Sequence, residues 1–198
     1  EMCIRDRARA GWEVDVHERH PSPGGACASA PLLGEGTVVD LGAAGHPFGV
    51  ASPVFADLDL IGHGLRWAHP EVVMAHPLPD GEPGLLYRDL ERTAAGLDAD
   101  AARWWAVHAP LVEGAEQLVD NVLGPIVRPW PHPLTMTRFG LRAPWPASWL
   151  TGGLFRTEQA RALFVGSAVH AVMAPSRPFT AAFGALFAAL GMSSGWPV

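Results

Sequence analysis

The sequence predicts a mixed α/β chain: part of a β-α-β layer near the N-terminal end, then a β-hairpin, then a mostly helical region. Three observations predict it. Gly11 stops a helical turn just before a strand-like run at residues 13–17 that ends beside an acid, Glu18. The cluster Pro79-Asp80-Gly81-Glu82-Pro83-Gly84 separates two apolar runs and reads as a hairpin turn. Leu111, Ala115, Leu118 and Val122 recur at three- and four-residue spacing, which describes one buried helical stripe.

Taken in order, Ala8 to Ala10 reads as the last turn of a helix, and Glu13-Val14-Asp15-Val16-His17 as the strand after it. Residues 19–30 are rich in Pro, Ser, Gly and Ala and are expected to be loop, with a second strand at 37–41. Residues 65–78 alternate partly in strand fashion around Val72, Val73 and Met74, and the turn leads into Leu85-Leu86-Tyr87. Asp89 can cap a short helix that Gly96 ends, and Asp98 or Asp100 can cap a longer one running towards Leu123, kinked or interrupted at Pro110. The prolines between 125 and 146, with Trp130 and Trp145, predict an ordered aromatic loop. Thr157 caps a helix through Val165, and Pro178 opens the last one at its first position.

Composition narrows the function classes. Of the 198 residues 48% are hydrophobic and only 17% charged, so part of the apolar surface is expected to meet further chain, a ligand or a membrane. The net charge is -6 and the arginines are scattered, which argues against nucleic acid. Cys3 and Cys27 form no C-x-x-C pair, which argues against a disulfide scaffold or a cysteine-built zinc site and fits a reducing cytoplasm. No secretory signal is visible, and the apolar stretch at 179–192 falls short of the roughly 20 residues that a bilayer span needs.

The feature that carries chemistry is Glu18 at a strand end, followed by Gly24-Gly25. In dinucleotide-binding units an acid at the end of the second strand accepts hydrogen bonds from ribose hydroxyls. Paired glycines let bare backbone run against a cofactor with its amides facing phosphate.

The run Ala10-Gly11-Trp12-Glu13-Val14-Asp15-Val16-His17-Glu18-Arg19, then Gly24-Gly25, then Asp40-Leu41-Gly42, resembles the N-terminal region of phytoene-desaturase-like and carotenoid-isomerase-like FAD-dependent oxidoreductases. Less specific similarity continues through His46-Pro47, Ser52-Pro53, the strand and turn at 67–84, Arg88-Asp89-Leu90, Gly166-Ser167-Ala168-Val169-His170 and Gly195-Trp196-Pro197-Val198. The resemblance implies a partial Rossmann-type FAD-binding domain at 8–45, lacking its first strand and glycine loop. A β-hairpin and connecting segment at 46–95 and a mainly helical substrate or cap region at 96–198 would follow.

FAD would be the cofactor, held by Glu18, Arg19, Gly24 and Gly25, and the substrate an apolar molecule of polyene type. The reaction would be desaturation, dehydrogenation or isomerisation by hydride transfer to or from the flavin, and the motifs nominate no catalytic side chain. Ala26, Cys27 and Ala28 stand where relatives commonly carry a basic or hydroxyl residue. Residues 1–7 carry four charges and no glycine turn, and are expected to be a leader foreign to the parent; the helical region is likewise expected to be truncated at its C-terminal end. Weak FAD affinity is the corollary, with this fragment itself inactive.

Four other readings compete. Nine histidines show no H-E-x-x-H and no close ligand pair, so no metal site is expected; His46 and His170 sit near glycine-rich turns, either lining a flavin pocket or satisfied as turn residues. Ser167 lacks the second glycine of a nucleophile elbow. Trp104, Trp105, Trp130, Trp145 and Trp149 either pack internally, line a substrate tunnel or rest at a membrane interface, so the expected location is cytoplasmic with peripheral membrane association open. A non-catalytic Rossmann-derived scaffold or protein-interaction module is the alternative to an enzyme.

Overall fold

Gly11, at φ +80°, ends the first helix: α1 covers Met2–Arg9, and the amides of Gly11 and Trp12 fold back onto the carbonyls of Ala8 and Arg7. The computed structural model describes residues 2–125 and 127–198 as a mixed α/β chain with, among those residues, ten α-helices and two small antiparallel sheets. Glu1, the first residue of the expected leader, lies outside them. The chain divides into two units, one ending at Ala44 and the other spanning Gly45–Val198.

In the first unit, residues 13–17 carry no strand. A segment with no neighbouring strand has no ladder to join, and none of the strands among the described residues pairs with it. The strand expected at 37–41 is β2, Val39–Asp40, paired antiparallel with β1, Ser29–Ala30. Leu41 N and Ala43 N donate to the carbonyls of Ala28 and Ala26, so the small residues after the glycine pair are taken up by this ribbon. No parallel β-α-β layer forms among the described residues.

The second unit holds the core. Two short turns of helix, α2 (Pro47–Val50) and α3 (Pro53–Asp57), precede the hairpin of β3 (Val72–His76) and β4 (Gly84–Tyr87), which pair with an irregularity between Val72 and Met74. Asp89 caps α4 (Leu90–Ala95), its Oδ1 accepting from Arg92 N at 2.6 Å. Helix α5 (Ala101–Glu113) runs through Pro110 and breaks at Gly114, where α6 (Ala115–Val122) starts. The segment expected to be loop contains α7 (Pro133–Gly140). A proline at the first helical position gives up no hydrogen bond, so Pro133 starts a helix where proline count alone suggested none. Helix α8 is Ala147–Leu154, and α9 (Glu158–Ala168) is capped by the Thr157 hydroxyl, which accepts from Ala160 N. Helix α10, Thr180–Gly191, begins two residues after Pro178, with Phe179 at φ 67° as its N-cap.

Helix α10 is apolar on every side and sits in the middle of this unit, against α9, α5 and α8. Gly184 is needed there: a Cβ at that position would collide with the Phe164 ring of α9, so that ring lies directly on the α10 backbone. Trp104, Phe155, Phe164, Leu163 and Leu118 fill the space around it, all essentially inaccessible to solvent.

Asp100 joins the two halves of this core. It is fully buried, and its Oδ2 accepts from Arg156 N (2.7 Å), Thr157 N (2.6 Å) and Thr157 Oγ1 (2.8 Å), while Arg103 stands 3.5 Å from Oδ1. Asp100 therefore makes no side-chain cap to its own helix; it holds the start of α9 instead. Burial by itself pushes this carboxyl up, but the donors of Thr157 and Arg156 and the charge of Arg103 together hold it below the usual carboxylate range. Asp100→Ala strands three donors, and is expected to cost about 3 kcal/mol and lower the melting temperature by roughly 10 °C, with Asp100→Asn intermediate, in thermal and urea unfolding.

Candidate functional site

The residues singled out for nucleotide binding lie on one exposed loop of the first unit. The turn after Glu18 is local: the exposed Glu18 accepts at Oε1 from His20 N at 2.8 Å. Arg19 follows it, also exposed. Gly24 and Gly25 take φ +131° and +57°, and Cys27 N closes the turn onto Gly24 O. A side chain at Gly24 would press on the Cys27 carbonyl, whereas the space beside Gly25 is open. Acid, guanidinium and bare main chain thus occur in one segment, in donor and acceptor types that suit a sugar diol and a phosphate.

In the second unit, imidazoles gather at the seam between β3, α9 and the end of the chain. His76, the last residue of β3, lies over Gly166 of α9, and His170 in the turn after α9 is oriented by Nδ1 against Ser167 O at 3.1 Å. The His170 ring meets Trp196 edge-on at 4.7 Å, and Phe187 lies 5.1 Å from it. His76 Nε2 and Trp196 Nε1 are buried with no hydrogen-bond partner among the described residues. Burial, with the nearby His170 second, lowers the His76 pKa, so this imidazole stays neutral. His46 borders the same chain end, its amide bonded to Pro197 O, but its ring lies 6.0 Å from Trp67.

Ser167 is fully buried, and its hydroxyl donates to Leu163 O one turn back in α9, an arrangement that activates no nucleophile. Among the described residues no group of three or more His, Cys, Asp or Glu converges as metal ligands, and both cysteines are exposed thiols. No helix among them is long and apolar enough to cross a membrane. The paired tryptophans divide their roles. Trp104 is buried, with its indole N–H on Met192 Sδ, while Trp105 is 45% exposed.

A cleft of about 630 Å³ opens where the α5–α6 junction faces α2 and the end of α10. Val50, Val112, Val119 and Leu190 form apolar walls, and Glu113 and Glu116 add carboxylates. Its volume falls in the range of small-molecule sites. No family model, curated protein or solved structure matches the chain.

Sequence reasoning missed His108. It lies on the inner face of α5, wholly buried, with Nδ1 on Trp104 O at 3.0 Å and its ring 4.1 Å from the Trp104 ring. Burial pushes its pKa down to about 3, against the raising effect of the Trp104 carbonyl and with the Arg142 charge adding to the fall. A histidine held neutral in the fold but free to protonate when unfolded stabilises the fold fully above about pH 6.5, and loses that contribution as pH falls towards the folded value. Stability should therefore decline by about 1.4 kcal/mol per pH unit from this residue alone between roughly pH 6 and 3.5. Urea midpoints across that range should show a shallower decline in His108→Leu than in the parent, whatever the variant's stability at pH 7.

Proposed function

We propose that the chain belongs functionally with FAD-dependent oxidoreductases of the phytoene-desaturase-like kind, acting on an apolar, polyene-type substrate by hydride transfer to or from flavin. The observation that carries the reading is the loop in which an exposed carboxylate at Glu18, the Arg19 guanidinium and the left-handed pair Gly24-Gly25 follow one another. In this reading Glu18 accepts hydrogen bonds from the adenosine ribose. Gly24 and Gly25 admit the pyrophosphate against main-chain amides, and Arg19 balances its charge. Bound FAD would supply the hydride chemistry. The protein's own contribution is binding and orientation, and Val50, Val112, Val119 and Leu190 offer apolar contact in a cleft that Glu113 and Glu116 also line.

A scaffold or interaction module is the second reading, and a specific observation favours it. The first unit forms a two-residue antiparallel ribbon where a Rossmann-type unit would need a parallel sheet and a helix N-terminus aimed at the phosphates.

Amide NMR with FAD separates the two. Millimolar FAD is expected to shift the amides of His20, Gly24 and Gly25 selectively, and Glu18→Gln to weaken that response roughly tenfold, the effect of losing a charge-assisted hydrogen bond. Shifts confined to other residues, or an unchanged response in the variant, would replace the flavin reading with the scaffold.

A further inference from the structure

The cleft of the second unit is built by a helix break. Gly114 separates α5 from α6, and the chain turns there so that Val112 and Glu113 at the end of α5 and Glu116 and Val119, one turn apart on α6, line the same space. A Cβ at Gly114 would press on Pro110 O and on the Thr135 side chain, each at 3.3 Å, so the break is packed from both sides. Val50 of α2 and Leu190 of α10 add apolar lining.

The polar groups of this cleft favour one sign of charge. Glu113 and Glu116 are exposed, and neither forms an ion pair among the described residues. Ser193 Oγ donates to Ala189 O at 2.8 Å and Ser194 Oγ to Leu190 O at 3.4 Å, so both hydroxyls commit their protons to the last carbonyls of α10 and have only lone pairs left to offer. The end of α10 carries the partial negative charge of a helix C-terminus. Helix α6 begins at the same junction, but Glu116 in its first turn offsets that positive end. Gln117, whose Oε1 accepts from Thr135 Oγ1, brings the one side-chain amide, and none of the described residues lining the cleft is an arginine or a histidine.

We propose that this cleft binds an organic cation, a protonated amine carried on an apolar chain or ring. The apolar body meets Val50, Val112, Val119 and Leu190, and the ammonium donates to the carboxylates of Glu113 and Glu116. A neutral molecule uses only the first set of contacts, and an anion meets two like charges. A bare metal ion is the wrong occupant. The cleft, at about 630 Å³, is far larger than an ion needs, and no three ligating groups converge among the described residues. The inference goes beyond the flavin reading, which asks this cleft only for apolar contact, and it uses none of the residues assigned to FAD.

Amide NMR of the full chain, titrated without flavin with n-octylamine, n-octanol and octanoate, tests it. Octylamine is expected to shift the amides of Val112, Ala115 and Ser193 and to bind about fivefold more tightly than octanol, as exposed charge pairs allow, with octanoate weaker than either. The double variant Glu113→Gln/Glu116→Gln is expected to bring octylamine down to the octanol affinity while octanol binding and the melting temperature stay unchanged, because both side chains are exposed. Raising the salt to about 0.5 M is expected to narrow the preference for the amine in the parent chain. Octanol binding as tightly as octylamine, an amine preference that the variant keeps, or shifts that spare the cleft would each overturn the proposal. The FAD response of Gly24 and Gly25 is read in a separate titration, so either reading can fail alone.

Discussion

The close approach of α10 to α9 is the constraint on which the second unit depends. Ala181, Gly184, Ala185, Ala188 and Ala189 give α10 little bulk, so its neighbours pack almost against its backbone, and Phe164 occupies the space that a larger residue at Gly184 would need. Small residues make that approach possible, and the aromatic side chains of Trp104, Phe155 and Phe164 supply the volume around them. The same helix ends beside the cleft through Leu190 and Ser193, and its start is fixed by the Pro144–Phe179 and Trp145–Ala181 hydrogen bonds. The cleft and the exposed aromatics Trp145 and Phe179 are thus both built on the ends of one buried rod.

The polar residues inside this core are few and have distinct duties. Asp100 spends its carboxylate on backbone groups of the α9 start, far along the chain, and so ties the α5 and α9 helices at one end. His108 contributes an aromatic ring to the packing against Trp104 and Phe164 while remaining neutral. The candidate nucleotide loop stands in contrast. Its Glu18, Arg19, Gly24 and Gly25 are exposed and their geometry rests on local turns, with no packed sheet behind them.

Local chemistry was the legible part of the sequence. Gly11 as a stop, Asp89 and Thr157 as caps, and the hairpin turn at 79–84 each depend on a few adjacent residues, and the structure forms all four. What needed distant partners was not legible. The run at 13–17 has the composition of a strand, but strand formation is decided by a neighbour, and no strand among the described residues pairs with it. Asp100 looked like a helix cap because nothing local signals that its donors come from residues 156 and 157. The density of prolines between 125 and 146 predicts loop, but Pro133 stands at a helix start, where a proline costs nothing. The loop bearing Glu18 and the glycine pair could be picked out from residue types alone; the imidazole seam of His76, His170 and Trp196 could not, since it joins a strand end, a helix end and the last residues of the chain.

Native-state hydrogen exchange measures the central claim directly, because it ranks elements by the free energy needed to open them. If α10 is the rod on which the second unit is built, its amides from Ala185 to Gly191 exchange only through global unfolding and are the slowest in the chain, while those of residues 12–44 exchange through cheap local opening. Amides of α10 that exchange as fast as those of the first unit would contradict the account.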